Sequence, residues 1–250
     1  MKKVLVVGGG AAGMMAAYFA AKEGAQVTIV EKNKLLGRKI RITGKGRCNV
    51  TNASDLETII KNIYKNGNFM YSSLYSFTND DLMDLFRSFG LDLKTERGNR
   101  VFLVSDRAID VVRTMEKMLD SQGVKIKTGA RVKSLIIDQA RAKGLVLVDG
   151  KKLFADKIIL ATGGKSYPLT GSTGDGYIMA QQCGHKVTSL YPSLIGMETI
   201  GEIKKELVGL NLRNISIDLY KNNKKIYDDF GELEFRDYGL DGPVIKSSSC

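Results

Sequence analysis

The chain has 250 residues, 43% hydrophobic and 26% charged, with 3 prolines. That suffices for one large α/β domain, or one domain and part of another, and argues against a disordered chain. Its cysteines, Cys48, Cys183 and Cys250, are odd in number and far apart, with no Cys-x-x-Cys pair, which argues against a disulfide framework, a zinc site and a dithiol redox centre and fits a reducing cytoplasm.

The net charge of +11 is concentrated locally: residues 1–50 hold ten basic and two acidic residues, and residues 32–47 hold seven basic and no acidic ones. A basic patch binds any polyanion, and a dinucleotide pyrophosphate is one. No helix-turn-helix, zinc-finger or RNP-like motif accompanies it, so no nucleic-acid partner is expected. Met1-Lys2-Lys3 and the apolar run after it imitate a signal peptide, but Gly8-Gly9-Gly10 and Gly13 interrupt that run. No other apolar stretch reaches 18 residues, so no membrane span is expected.

Residues 3–7 read as a buried strand ending at Gly8-Gly9-Gly10-Ala11-Ala12-Gly13. Residues 11–23 are rich in Ala, Met and Phe and read as a helix stopped by Gly24; residues 26–30 read as a second strand with Glu31 at its end. Strand, G-x-G-x-x-G, helix, strand and acid in this order form a dinucleotide-binding unit. Gly8 permits the tight turn, Gly10 lets the backbone approach a pyrophosphate, and Gly13 lets helix and strand pack closely. The helix N-terminus offers N–H groups to the phosphates, and Glu31 can accept from the adenosine ribose hydroxyls. This fingerprint by itself does not separate FAD from NAD.

Residues 54–123 read as helical. Ser54-x-x-Glu57 has a capping-box pattern before residues 56–63, Thr78 can cap 80–89 ahead of Gly90, and Ser105 or Asp106 can cap 108–119 ahead of Gly123. Ile109, Val112, Met115 and Leu119 have the spacing of a core stripe. Strand-like stretches follow at 124–128, 131–138, 144–148 and 151–154, the last two separated by Asp149-Gly150, and they suggest a small antiparallel meander inserted into a parallel sheet. Residues 157–160 read as a strand running into Ala161-Thr162-Gly163-Gly164. Gly163-Gly164-Lys165-Ser166 only imitates a P-loop, since Ile159 stands where the earlier glycine is required. Gly171-x-x-Gly174-x-Gly176 follows no strand and reads as a loop into a helix at 177–183, with Asp175 near its start. From about residue 190 the texture changes to short strand-like runs at 194–197, 216–219 and 232–235.

Arg38 to Asn52, reading RKIRITGKGRCNVTN, resembles the signature of a bacterial family of FAD-dependent oxidoreductases that includes aminoacetone oxidase and reductases of 3-dehydro bile-acid intermediates. Arg100-Val101-Phe102, residues 161–168, residues 170–176 and Tyr238-Gly239-Leu240-Asp241-Gly242-Pro243 are similar to that family as well. The segment from Glu31 to Lys39 and the strand before Ala161 resemble those of flavoproteins with two dinucleotide-binding domains, and this favours FAD over NAD.

The resemblance implies a Rossmann-like FAD-binding domain at 1–190, a parallel sheet with an inserted meander, and the start of a β-barrel-like substrate domain at 191–250. It implies FAD contacts from Gly8, Gly10, Ala11, Ala12, Gly13, Glu31, Lys32, Arg38, Lys39, Gly46, Arg47, Cys48, Asn49, Ala161, Thr162 and Gly163, with Val132 facing the adenine through its backbone. Cys48 is either a small buried hydrophobe or a neighbour of the flavin; Arg47 is either a solvated charge or a phosphate partner. The expected substrate is a small organic molecule: an amine, a 2-amino ketone or an enone. NAD(P)H has no second nucleotide fold here and is expected only as a transient reductant.

No metal site is read. His185, the lone histidine, cannot make a hydrolase triad, no G-x-S-x-G occurs, and no catalytic acid or base is assigned. The resembled family is longer, so a truncated chain is expected, and a flavin- or nucleotide-binding module without turnover stands as the alternative.

Overall fold

In a computed structural model, which describes residues 1–249, Lys3–Val7 forms β1 with four of its five residues buried. The chain continues through α1 (Ala11–Lys22) and β2 (Gln26–Val30), paired parallel to β1 from Lys3↔Gln26 to Val7↔Val30. Next come β3 (Thr51–Asn52), α2 (Leu56–Lys61), α3 (Tyr71–Ser76), α4 (Asn79–Ser88), β4 (Leu93–Glu96), β5 (Arg100–Leu103) and α5 (Ala108–Ser121). β6 (Lys125–Lys127), β7 (Val132–Asp138), β8 (Arg141–Leu147), β9 (Lys152–Phe154), β10 (Lys157–Leu160) and α6 (Asp175–Gln182) follow. This is the Rossmann-like α/β fold expected from the fingerprint: a four-stranded parallel sheet ordered β10-β1-β2-β6.

The sheet is covered on both faces, which is why β1 is a continuous β-branched run rather than an alternating one. Val4 and Val6 pack with Met14 and Ala17 of α1 and with Val112, Met115, Met118 and Leu119 of α5. Leu5 and Val7 face the other way, onto Leu145 and Leu147 of β8 and Met179 of α6. Each fully buried aliphatic side chain here contributes roughly 1.5–3 kcal/mol, so the α5 stripe at 112, 115 and 119 holds this unit together.

The antiparallel meander is present as β7-β8-β9. The stretch at 124–128 does not belong to it: β6 pairs parallel with β2, Val30 opposite Lys127. It lies at the sheet edge with all three residues exposed, so its polar composition imitated a half-buried strand. The β7–β8 turn runs through Gln139 and Ala140, both left-handed (φ 45° and 58°). The usual Asn-Gly signal is missing there, and the start of β8 at Arg141 was illegible.

Residues 54–123 are not wholly helical, because β3-β5-β4 forms a small antiparallel sheet within and beside them. It joins two signature segments, Thr51 opposite Val101 and Asn52 opposite Arg100. Thr78 caps α4 in a capping box with Asp81, as the sequence indicated. For α2 the cap is Asp55, accepting from Thr58 N, and not Ser54. α5 has no side-chain cap, and Ser105 donates instead to Asp110.

Chain contacts divide the molecule into Met1–Val187 and Thr188–Cys250. The second unit is an antiparallel sheet of β11 (Met197–Glu198), β12 (Asn211–Lys221), β13 (Lys224–Arg236) and β14 (Gly239–Asp241), ordered β11-β14-β13-β12, with α7 (Pro243–Ser248). Its core is Leu233, Val244 and Ile245 with Leu212, Ile217, Phe235 and Leu240 around them. Among the described residues no helix is long and apolar enough to cross a membrane.

Candidate cofactor site

A cavity of about 660 Å³ opens at the carboxyl ends of β1, β2 and β10 in the first unit, where doubly wound sheets bind their ligands. Gly8 (φ +108°) donates to Val30 O at 2.9 Å, and a Cβ on it would strike Ala161 O. A Cβ on Gly13 would collide with Gly8 O, so helix and strand need glycine there to pack. Gly10 differs: nothing lies within 4 Å of where its Cβ would be, and together with Ala11 and Ala12 it lines the cavity. No side chain caps α1 and no acidic residue stands in its first turn. A cradle that a β-carbon would fill, at an uncapped helix N-terminus, fits a pyrophosphate.

Glu31 is 7% exposed and lines the same cavity. Its carboxylate accepts from Gly9 N at 2.7 Å and from Asn33 N and Nδ2 at 2.7 and 2.6 Å. A carboxylate has about four acceptor sites, so one remains for a ligand hydroxyl while the others join the fingerprint turn at Gly9 to the loop at Asn33.

The basic segment after β2 is fastened to the loop after β10. Lys32 Nζ donates to Thr173 Oγ1 at 2.6 Å and to Asp175 at 3.1 Å. Lys39 Nζ donates to Ser166 O at 2.9 Å and Ser172 Oγ at 2.8 Å. Arg38 donates to Asn33 Oδ1 at 2.9 Å. Burial raises the Asp175 pKa, but hydrogen bonds from Lys32 and Thr173 outweigh it and hold the carboxyl below its ordinary range.

Cys48 is 5% exposed, and burial pushes its thiol up to about 11. It packs in the core around α5 and also lines the cavity, so the two readings of this residue are compatible. Asn49, Val132, Ala161, Thr162 and Gly163 line the cavity too.

Three expected site residues lie outside the lining. Gly13 serves packing, and Gly46 sits in a left-handed stretch of loop (φ 88°). Arg47 is turned to protein carboxylates: its Nη2 bonds Glu96 and, at 2.7 Å, Asp106, and its guanidinium lies 4.5 Å from the Phe102 ring centre. Arg47 thus forms an internal ion pair and lies outside the cavity lining.

Sequence reasoning missed the apolar wall of Met15, Leu82, Phe86, Val111 and Met115. Two of its pairs stand four residues apart on α4 and α5, the spacing of any core stripe. His185 is exposed beyond the end of α6. No cluster of metal-ligating side chains occurs among the described residues.

In overall fold the chain resembles the open conformation of a flavocytochrome c3 fumarate reductase (TM-score 0.52, 23% identity, 73% of this chain and 40% of that one). It also resembles a 3-ketosteroid-delta4-(5alpha)-dehydrogenase from Rhodococcus jostii RHA1 (TM-score 0.52, 17% identity, 74% of this chain and 55% of that one). Fold, fingerprint and cavity define a protein with a Rossmann-type dinucleotide-binding domain. Residues 2–226 match the HI0933-like protein Rossmann domain, and the chain belongs to that family.

Among curated relatives, a 3-dehydro-bile acid delta(4,6)-reductase of Clostridium scindens is 34% identical over 99% of this chain and 60% of its own length. A ribosomal RNA dihydrouridine synthase of Haemophilus influenzae is 29% identical over 98% of this chain and 60% of its own length. The chain thus spans about 60% of the length of these two relatives.

Proposed function

We propose that the first unit, corresponding to the FAD-binding domain at 1–190, holds FAD in the cavity, and that the protein transfers hydride between the flavin and a small organic substrate. In this reading Gly10, Ala11 and Ala12 meet the pyrophosphate and Glu31 the adenosine ribose. Val132 borders the adenine; Cys48, Asn49, Ala161, Thr162 and Gly163 border the flavin. Lys32, Arg38 and Lys39 supply positive charge, and Lys32 and Lys39 also tie the two cavity walls together. The observation that carries the reading is the contrast between the open Cβ direction of Gly10 and the closed one of Gly13, within a cavity that Glu31 also lines. When bound, a flavin supplies the hydride or electron chemistry; the protein binds, orients and excludes water.

Of the substrates considered, an enone is favoured. The relative named as a bile-acid delta(4,6)-reductase acts, by its name, on unsaturation in a 3-oxo steroid, which places a C=C bond in conjugation with a carbonyl. The relatives named as ribosomal RNA dihydrouridine synthases share that demand, since uracil also carries a C=C bond conjugated to a carbonyl. They favour, as a second reading, an RNA base as the reduced group.

The test is the visible spectrum of the purified protein, followed by reduction and reoxidation. Flavin bands that dithionite bleaches, and that a 3-oxo-4,6-diene steroid acid restores under anaerobic conditions, are the expected result. Restoration by unmodified ribosomal RNA alone would favour the second reading. Bands absent after incubation with FAD would sink both.

A further inference from the structure

The loop between residues 43 and 49 has an unusual backbone. Gly44 (φ 57°), Lys45 (φ 56°), Gly46 (φ 88°) and Cys48 (φ 57°) are all left-handed, with only Arg47 (φ −91°) between them in the ordinary helical region. For Lys45 and Cys48, which carry a Cβ, this conformation costs roughly 1–2 kcal/mol each. Arg47 N donates to Gly44 O and Cys48 N to Thr43 O, both at 3.1 Å. Side-chain bonds tie the loop to segments outside it.

The Arg47 side chain makes several of these bonds. Nε donates to Asp106 Oδ1 at 2.9 Å, Nη2 to the same oxygen at 2.7 Å and also to Glu96 Oε1, and Nη1 to Glu96 Oε2 at 3.4 Å. The guanidinium lies over the buried Phe102 ring at 4.5 Å. Lys94 fixes the far oxygen of Asp106 at 2.7 Å. All these partners belong to β4, β5 or the turn after β5, and Val50 N donates to Val101 O on β5 at 2.8 Å. Only a planar fork can serve two carboxylates and stack on a ring at once.

We propose that Arg47 is a positioning residue. By clamping the left-handed loop onto the β4–β5 hairpin through Glu96 and Asp106, it sets where Cys48 and Asn49 stand in the cavity wall. Its consequence for flavin binding rests on the cofactor reading above; the clamp itself does not.

The test uses the full chain with Cys183→Ser and Cys250→Ser, so that Cys48 is the single thiol. Its reaction rate with an aromatic disulfide reagent is followed without FAD for Arg47→Met, Arg47→Lys, Glu96→Gln and Asp106→Asn, beside urea unfolding of each. Arg47→Met should raise the rate about tenfold or more beyond what its loss of global stability explains. Arg47→Lys should recover only part of the protection, because an ammonium lacks the fork. If Arg47→Met fails to fold, Asp106→Asn, which keeps volume, decides with a smaller rise in the same direction. In the FAD-loaded proteins the flavin absorption maximum should shift along the same series.

Rates within twofold of the parent in every folded variant, or rates that only track global stability, would overturn the clamp. A parent that never takes up FAD while its variants still show the raised rates would sink the cofactor reading and leave the clamp standing.

Discussion

Glu31 does more than a ribose partner needs to. Three protein donors already converge on it, so Glu31→Ala should both weaken FAD binding and loosen the turn beneath it. A charged acceptor contributes roughly 1.5–3 kcal/mol, which predicts FAD binding weaker by about tenfold or more. It also predicts a measurable loss in urea stability, because Gly9 N is left without its buried acceptor. Titration of FAD against variant and parent checks the first, and equal affinities would remove the ribose role. Cys48 gives a second test at this scale. Burial holds its thiol protonated well above the ordinary thiol pKa, to about 11. Alkylation of Cys48 should therefore be slow at neutral pH and keep rising toward pH 11. A rate that levelled off near the ordinary thiol value would show that the side chain is solvated.

The fingerprint turn can be dissected by two substitutions of the same kind. Gly10→Val places its Cβ in open space, so the protein should fold, losing no more than the roughly 1 kcal/mol that an apolar N-cap costs, and yet remain colourless with FAD. Gly13→Val drives a side chain into Gly8 O and should cost about 1–3 kcal/mol or more, as overpacking does. A yellow Gly10→Val protein, or a Gly13→Val protein as stable as the parent, would undo the assignment. The bond between Lys32 and the first residue of α6 has a definite pH dependence. The folded pKa of Asp175 is depressed despite its burial. Its contribution is therefore present above the ordinary carboxylate pKa and lost as pH falls through the folded value. Asp175→Asn should be less stable than the parent at pH 7 and indistinguishable from it in strong acid; a gap that persisted there would point to packing instead.

Charge explains little at the scale of the whole chain until it is located. Of the seven basic residues in 32–47, Lys32, Arg38, Lys39, Arg41 and Arg47 bond to other protein groups, so much of the local excess is spent on joining segments. The two units invite a direct experiment. Residues 185–192 have no regular secondary structure, and Lys186 among them is exposed. Limited trypsin digestion should cut there and leave the flavin with the N-terminal fragment, since every residue lining the cavity precedes residue 180. Flavin released on separating the fragments would mean that the second unit is needed to hold it.

The β1-α1-β2 unit, its three glycines, the place of Glu31 and most of the meander were legible in the sequence, because each rests on preferences acting within a few residues: strand propensity, helix punctuation, the steric demands of a tight turn. Where that local signal was weak, reading failed. Gln139-Ala140 makes a left-handed turn without turn residues, and β6 looks polar only because it lies at an edge. Contacts between distant segments were illegible for a different reason. Arg47 meets Glu96 and Asp106 across 49 and 59 residues, and nothing in its own neighbourhood distinguishes that partnership from a phosphate. The apolar wall on α4 and α5 has the spacing of an ordinary core, and only the packing of those helices beside the sheet's carboxyl edge turns it toward a cavity. Local sterics and hydrogen bonding decided the cradle; topology, which sets the partner of each charge and the side a buried face looks upon, decided its walls.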